Sequence, residues 1–193
     1  HPQRRPRPLP RRRRTGDAMT TALEGLALSR VAPDHVRDAV TLRNACADDL
    51  TRRFGPGPWS SHGSLPTTRR LARDKHVLIA RLGDRSLATM TLSAHRPTVH
   101  ELAWFSQPHA PACYLTGLYV HPAAQREGIG TWMMQQAEAV ARSWHSAALR
   151  FDAYVGPAGA AEFYRRAGYV SRGERTVMGV AIEVFERTFS ITQ

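Results

Sequence analysis

Apolar residues recur along the chain with two spacings, one typical of strands and one typical of helices. Short runs of branched and aromatic residues predict strands at 26–31, 76–81, 86–92, 114–120, 148–154 and 178–190. Apolar positions three or four residues apart predict helices at 34–53, 67–74, 129–144 and 159–167. The turn at Gly83 predicts a hairpin. The apolar residues in 98–104 follow neither spacing, so this segment is not assigned. This alternation favours an α/β fold in a single domain, with a mixed central β-sheet flanked by helices on both faces.

The strand at 114–120 passes through a sharp turn into the helix that begins near Ile129. Gly128 and Gly130 therefore lie at a helix N-terminus, where backbone N–H groups lack partners and the helix dipole is positive. Glycines let a phosphate approach the main chain, and Arg126 and Thr131 can add side-chain donors. The segment matches neither a P-loop nor a dinucleotide fingerprint. It predicts a pyrophosphate-binding loop, with an ordinary strand-to-helix turn as the alternative.

Two segments together resemble the GNAT superfamily of N-acetyltransferases. Gln125-x-x-Gly128-x-Gly130, after a strand that ends in Val120-His121-Pro122, resembles the acyl-CoA loop of that family. The segment 160–169, which contains Phe163-Tyr164 and Gly168-Tyr169, is similar to the later helix of the family. The resemblance is strong over 114–169 and weaker over 27–95. It implies a GNAT-like fold and acetyl-CoA as the co-substrate.

The resemblance also implies which residues bind acetyl-CoA. In relatives the central strand has a bulge that frees main-chain N–H groups beside the thioester, and Gly117 would make such a bulge easier. The residues that match the cofactor-binding positions are Leu118, Tyr119, Val120, Gln125, Arg126, Glu127, Gly128, Ile129, Gly130 and Thr131.

The catalytic roles implied by the resemblance fall on Tyr164 and Asp152. Tyr164 matches the family tyrosine that acts as general acid, and a core tyrosine is the alternative. Tyr114 replaces a glutamate that some relatives carry on the central strand. The carboxylate that would serve as general base at that position is therefore missing. Asp152 lies where the ribosomal-protein alanine acetyltransferases carry an acid, and Glu101 is a second candidate.

The Gly- and Pro-rich segment 54–64 is expected to be a loop. In relatives this loop tends to line the acceptor side of the cleft, which makes Trp59, Ser60 and His62 candidates for substrate binding. A solvent-facing connection with Trp59 as a packing anchor is the alternative.

The formal net charge of +11 is concentrated at the start of the chain. Of 27 Lys and Arg residues, seven are arginines within residues 1–14, which contain no acid, so 20 basic and 16 acidic residues remain, or +4. Many prolines and few apolar side chains predict that residues 1–18 are a disordered Arg/Pro-rich extension. Because Met19 would make an ordinary start, we interpret 1–18 as an upstream or added segment and 19–193 as the acetyltransferase domain.

Other sequence features limit which partners are expected for the protein. The two cysteines, Cys46 and Cys113, predict no disulfide framework, and the nine histidines show no metal-binding spacing, so we expect no metal. No apolar run is long enough to span a membrane, which predicts a cytoplasmic protein without a membrane partner. Nucleic acid is not a favoured partner because the charge beyond residue 14 is only mildly basic. A homodimer is left open.

The function that the resemblance implies is acetyl-CoA-dependent N-acetylation, by direct transfer to a primary amine of a small molecule. A protein N-terminal amine is the enzymatic alternative, so the acceptor is a small-molecule or a peptide amine. A non-catalytic acyl-CoA-binding module is an alternative of another class, consistent with the missing glutamate but not with the retained Tyr164.

Overall fold

The computed structural model describes residues 23–190, which form one seven-stranded mixed sheet and four α-helices. The predicted extension 1–18 lies outside the described residues. The strands are β1 (Leu26–Arg30), β2 (His76–Leu82), β3 (Arg85–Ser93), β4 (Ala112–Val120), β5 (Ala148–Tyr154), β6 (Val170–Val177) and β7 (Val180–Thr188). The helices are α1 (Arg37–Phe54), α2 (Leu65–Asp74), α3 (Ile129–Ser143) and α4 (Ala161–Arg166).

The sheet order is β1-β2-β3-β4-β5-β7-β6, and β4 and β5 are the parallel pair. Helices cover both faces, as the hydrophobic pattern predicts. On one face α3 and α4 pack on a core that contains Met133, Phe151 and Phe185. On the other face α1 and α2 pack on a separate cluster that contains Leu42 and Ile79. We call these the α3 face and the α1 face. No helix between residues 23 and 190 is long and apolar enough to cross a membrane.

The final strand predicted over 178–190 is confirmed as β7, but the strand before it, β6, was not predicted. β6 is an edge strand that pairs with β7, and the register between them shifts between Ser171 and Glu174. Gly173 lies within this shift and has φ of 90°. The extra residues of the shift interrupt the apolar alternation that identifies a strand. Charged residues on a half-exposed edge weaken the signal further.

Strands β4 and β5 separate after their first three residues. They pair at Ala112, Cys113 and Tyr114 of β4, and no pair follows beyond Tyr114 and Arg150. β4 continues beside β3 to Val120, with a register shift at its residues 115–117. β5 instead continues beside β7 to Tyr154. The sheet therefore opens between 115–120 of β4 and 151–154 of β5, and we call this opening the cleft.

The segment 94–111 between β3 and β4 is fixed over the α1 face by a buried ion pair. The side chains of Arg150 and Glu186 are fully buried, with Nε 3.0 Å from Oε1. Arg150 also donates to the Gln107 carbonyl at 2.6 Å, and Ser106 donates to Glu186 through its backbone N–H and its hydroxyl. Burial by itself raises the pKa of Glu186, but hydrogen bonds from Ser106, Arg172 and Arg150 outweigh it and hold that pKa below its ordinary value.

Candidate active site

The loop before α3 presents unpaired backbone donors at one end of the cleft. The first backbone hydrogen bond of the helix runs from Trp132 N–H to the Gly128 carbonyl at 3.0 Å. The N–H groups of residues 129–131 therefore have no acceptor within the helix. Gly128 has φ of 84° and Arg126 has φ of 66°, both left-handed. The first turn contains no acidic residue. This combination of free N–H groups and positive dipole suits a phosphate-bearing ligand.

Gly130, at the start of α3, lies close to α4. A Cβ built at Gly130 would lie 3.4 Å from Cζ of Phe163 on α4 and 4.0 Å from Cγ2 of Val120. The exposed Gln125 side chain is tied back to the strand, since its Nε2 donates to the Val120 carbonyl at 3.1 Å. Arg126, Glu127 and Thr131 are exposed and are available to a ligand at this helix end.

The second half of β4 lines the cleft. Residues up to Leu115 are buried, whereas Thr116 is exposed and 117–120 are half-buried, because β5 no longer covers this edge. The register shift beside Gly117 matches the expected bulge. A Cβ at Gly117 would lie 3.0 Å from the Tyr119 ring, so glycine lets that ring fold back over the strand. Leu118 and Val120 pack against the α3 face instead.

Tyr164 reaches the cleft from the α3 face. Its ring packs in the core, with centroids 4.5 Å from Phe151 and 5.5 Å from Phe185. No described residue hydrogen-bonds to its hydroxyl. Burial raises the pKa of Tyr164 well above the ordinary value, and the charges of Asp152 and Tyr119 raise it further. The phenol is therefore held in its protonated form within electrostatic reach of two residues on the other face.

Asp152 lies on β5 just beyond the point where the strands separate, and its partner is a residue that sequence analysis missed. The side chain of Asp152 is 33% exposed, and its Oδ2 lies 2.6 Å from Nε2 of His100. His100 belongs to the segment 94–111 and is 1% exposed. A lone histidine in a segment without clear period gives no sequence signal. It could be found only by knowing that this segment folds over β5.

The α1 side of the cleft is walled by aromatic side chains. The ring of Trp59 in the loop 55–64 packs edge-on against Tyr154 at 6.0 Å, and the Tyr154 hydroxyl lies 3.5 Å from the Pro58 carbonyl. Burial raises the pKa of Tyr154, as do the charges of Tyr119 and Asp152, whereas Arg43 of α1 lowers it. The loop is therefore folded down onto the end of β5, two residues from Asp152.

Three other positions singled out from the sequence lie elsewhere. His62 hydrogen-bonds to Asp48 at 2.7 Å on the exposed surface of α1, and no described contact links it with Asp152 or Tyr164. Glu101 is exposed, while its neighbour His100 is buried and contacts Asp152. Tyr114, which stands where relatives carry a glutamate, is buried and accepts a hydrogen bond from Arg150 at 3.2 Å.

The structure also has an open surface depression of about 520 Å³ along α2, lined by Pro66, Thr67, Arg70, Arg73 and Asp74. None of these residues contacts the residues of the cleft in the described part of the chain. We do not assign it to the site.

Comparisons with known proteins agree with this geometry. The sequence profile of the acetyltransferase (GNAT) family matches residues 44–169. No match is found among curated protein sequences. Solved structures with the same fold include YncA from Salmonella typhimurium with its cofactor acetyl-CoA, which has a TM-score of 0.64 at 10% identity and covers 88% of this chain and 96% of that one.

Two further structures share the fold at similarly low identity. The PaiA N-acetyltransferase from Thermoplasma acidophilum, in complex with coenzyme A, has a TM-score of 0.65 at 11% identity, with 85% of this chain and 99% of that chain covered. The ribosomal-protein-alanine N-acetyltransferase from Brucella melitensis has a TM-score of 0.63 at 14% identity, with 84% and 99% covered.

Proposed function

The chain belongs to the GNAT family of acetyltransferases, and we propose that it transfers an acetyl group from acetyl-CoA directly to a primary amine of a small molecule. The observation that carries this proposal is the cleft between β4 and β5. A helix N-terminus suited to a phosphate lies at one end of the cleft, and Tyr164 and Asp152, on opposite faces of the sheet, are within electrostatic reach of each other.

The residues at the start of α3 fit the pyrophosphate of coenzyme A. The N–H groups of 129–131 and the exposed Arg126 provide donors without a competing carboxylate in the first helical turn. Acetyl-CoA, when bound, supplies an acetyl group activated as a thioester. The separated edge of β4, at residues 117–120, offers main-chain groups that no strand of the sheet occupies on the β5 side. One such donor to the developing oxyanion is typically worth about 3 kcal/mol of barrier.

Asp152 and Tyr164 divide the proton transfers between them. Asp152 takes a proton, directly or through water, from the acceptor ammonium and passes it to solvent, which leaves a neutral amine as nucleophile. The C–N bond then forms and the C–S bond breaks. Tyr164 gives its proton to the departing thiolate and regains one from the new amide nitrogen. The net products are the N-acetylated amine, coenzyme A thiol and one released proton.

A small amine is favoured over a protein terminus because the loop 55–64 closes the acceptor side. Trp59 packs on Tyr154, and the Tyr154 hydroxyl lies 3.5 Å from the Pro58 carbonyl, so the loop covers the end of β5 beside Asp152. A peptide substrate needs an open groove that leads away from its terminal amine. The packed rings of Trp59 and Tyr154 instead suit a compact amine with apolar substituents.

The test is a turnover screen with acetyl-CoA over polyamines, aminoglycosides, amino acids, arylalkylamines and N-terminal peptides, measured as release of free thiol. We expect turnover with at least one small-molecule class and slower turnover with peptides. Peptides as the fastest class would replace the small-amine proposal with N-terminal acetylation. Binding of acetyl-CoA without turnover on any class would favour a non-catalytic acyl-CoA-binding module.

A further inference from the structure

His100 approaches Asp152 from the side away from the cleft. Its Nε2 lies 2.6 Å from Oδ2 of Asp152, and its side chain is 1% exposed against 33% for the aspartate. No described residue hydrogen-bonds to Oδ1 of Asp152. One carboxylate oxygen is thus held from the protein interior, and the other is left for a group in the cleft.

The surroundings of His100 favour one form of its imidazole ring. Nδ1 is buried and has no hydrogen-bond partner among the described residues. With the proton on Nε2, the ring donates to Asp152 and leaves only a lone pair at Nδ1. With a proton on Nδ1, the ring would leave an N–H donor buried without an acceptor, which costs more than an unused lone pair. The geometry therefore favours the tautomer in which Nε2–H donates to Asp152.

Aromatic rings enclose His100 and keep water from it. The rings of Trp104, Phe105 and Tyr114 have centroids 5.7, 5.9 and 6.2 Å from the imidazole. The charged groups beyond these rings are Arg150, stacked over Phe105 and within 6.0 Å of the Tyr114 centroid, and Arg175, near Trp104. Asp152 is the one described charged group that hydrogen-bonds to His100.

Anchoring of the segment 94–111 does not by itself require this contact. Ser106 and Gln107 already bind Glu186 and Arg150, and the Pro111 carbonyl accepts from the Ala147 N–H at 2.7 Å. The contact of His100 is made with a cleft residue that has one oxygen free. This placement points to a role in orienting the carboxylate.

We propose that His100 is a positioning residue for acetyl transfer, which holds the carboxylate of Asp152 in place and fixes its Oδ1 towards the acceptor amine. The proposal rests on the proposed function, because it concerns the proton acceptor of that reaction. The arrangement inverts the order of a Ser-His-Asp triad, in which the carboxylate orients the histidine. Here the histidine orients the carboxylate, which receives the proton itself.

Three variants of His100 test the proposal with the best acceptor from the turnover screen. In His100→Gln, the side-chain amide can place a donor near the position of Nε2, whereas His100→Asn is too short and His100→Phe has no donor. We expect kcat/KM to fall about tenfold to a hundredfold in the Asn and Phe variants and to stay within about threefold in the Gln variant. The loss in the Asn and Phe variants should lie in kcat, with the Kd for acetyl-CoA nearly unchanged.

Tyr114→Phe is the matched control for a purely structural effect. It removes the hydroxyl that Arg150 contacts at 3.2 Å in the same buried region and leaves the bond between His100 and Asp152 in place. We expect a lower melting temperature with kcat nearly unchanged. If the Gln, Asn and Phe variants of His100 all match this pattern, the positioning role is overturned while acetyl transfer by the wild type stands.

The protonation state of His100 can be measured without turnover. Long-range ¹H–¹⁵N correlation spectra of the wild-type protein should show an unprotonated Nδ1 and a protonated Nε2 at neutral pH. A proton on Nδ1 would contradict the proposal even if a His100 variant fails to fold. Absence of acetyl transfer by the wild type would instead remove the proposed function, so the two failures are distinguishable.

Discussion

Tyr164 has the environment that a general acid needs, namely a packed ring and an unengaged hydroxyl. Its ring contacts Phe151, Phe163 and Phe185, and burial followed by the charges of Asp152 and Tyr119 raises its pKa. A phenol held in its protonated form can donate to a thiolate at any pH at which the protein is assayed.

Replacement of Tyr164 by Phe should lower kcat about a hundredfold and leave the Kd for acetyl-CoA nearly unchanged, because only the hydroxyl is lost. Stopped-flow turnover and calorimetric binding measure the two quantities. Tyr169→Phe is the matched control, since the Tyr169 hydroxyl donates to Glu138 at 2.6 Å outside the cleft. This control should lose about 1 kcal/mol of stability but little activity. Full turnover by Tyr164→Phe would exclude Tyr164 as the proton donor.

The raised pKa of Tyr164 also predicts the sign of a pH effect on stability. Below the ordinary value of 10.0 the phenol is protonated in both the folded and the unfolded chain, so it adds no pH dependence. Above that value the unfolded chain loses the proton and the folded protein keeps it, so the free energy of unfolding falls as pH rises. Melting temperatures above about pH 10 should therefore fall less steeply for Tyr164→Phe than for the wild type.

The candidate residues with most support from the sequence lie in motifs or regular elements. Tyr164, Gly128 and Gly130 belong to motifs in the stretches that resemble the family, and Asp152 belongs to a strand with clear boundaries. His100 was missed because its contact with Asp152 joins positions 52 residues apart through an irregular segment. No local pattern encodes such a contact.

At the scale of elements, the turn before α3 depends on a left-handed residue that glycine supplies. Gly128 has φ of 84° immediately before the first residue of the helix. A β-branched residue is disfavoured in this conformation, so its introduction should move the N–H groups of residues 129–131 away from their present directions.

Gly128→Val should therefore abolish the rise in melting temperature that acetyl-CoA produces in the wild type, while the apo-protein stays folded. Gly83→Val is the matched control, because Gly83 also has a left-handed φ, of 57°, and lies in the hairpin between β2 and β3 with open space around it. Both variants should lose similar intrinsic stability. If both keep the full acetyl-CoA shift, the cofactor assignment of this loop is wrong.

The ion pair between Arg150 and Glu186 should dominate the stability of the segment 94–111. Glu186→Gln leaves a fully buried guanidinium without its carboxylate, which typically costs about 3–5 kcal/mol. Urea denaturation measures the loss, and Glu174→Gln on exposed β6 is the control, with an expected change under about 0.5 kcal/mol. Equal stability of the two variants would show that the pair contributes nothing.

The lowered pKa of Glu186 fixes the pH range of this contribution. The ion pair stabilises the fold fully above the ordinary value of 4.5, and the contribution is lost as pH falls through the lower value of the folded protein. The stability of Glu186→Gln should therefore depend less on pH in this acid range than that of the wild type.

Most elements could be predicted from the sequence because their apolar periods are complete. The strand 148–154 was predicted with the bounds that β5 has in the structure, and α3 begins at Ile129 as expected. β6 could not be predicted because Gly173 and the register shift interrupt its alternation. The separation of β4 from β5 was not predicted, since the apolar period of a strand does not reveal which strands pair with it.

At the scale of the whole molecule, the candidate site residues lie on two sides of the sheet. The loop before α3 lies on one side, while the loop 55–64 and segment 94–111 contribute Trp59 and His100 on the other. The proposed function places one substrate on each side, with the reaction where β4 and β5 part. The side with Trp59 and His100 is the less predictable half, since irregular segments build it.

The arginine-rich extension should be dispensable for catalysis. Residues 1–14 carry seven arginines and no acid, and charges beyond a Debye length of the cleft are largely screened at physiological ionic strength. Removal of residues 1–18 should leave kcat/KM within about twofold, measured at low and at physiological salt. A collapse of activity at both salt concentrations would show that the extension contributes to the site.

Direct transfer within the cleft is tested most directly by acetyl-CoA that carries a deuterated acetyl group. The wild-type protein, the best acceptor and the labelled donor are mixed, and the masses of acceptor and intact protein are measured over single turnovers, with Gly128→Val as the blank. We predict that the labelled acetyl group appears on the acceptor amine, that the protein mass stays constant, and that the blank shows far slower transfer. A labelled acetyl group that accumulates on the protein, or equal transfer by wild type and blank, would contradict direct transfer in the cleft.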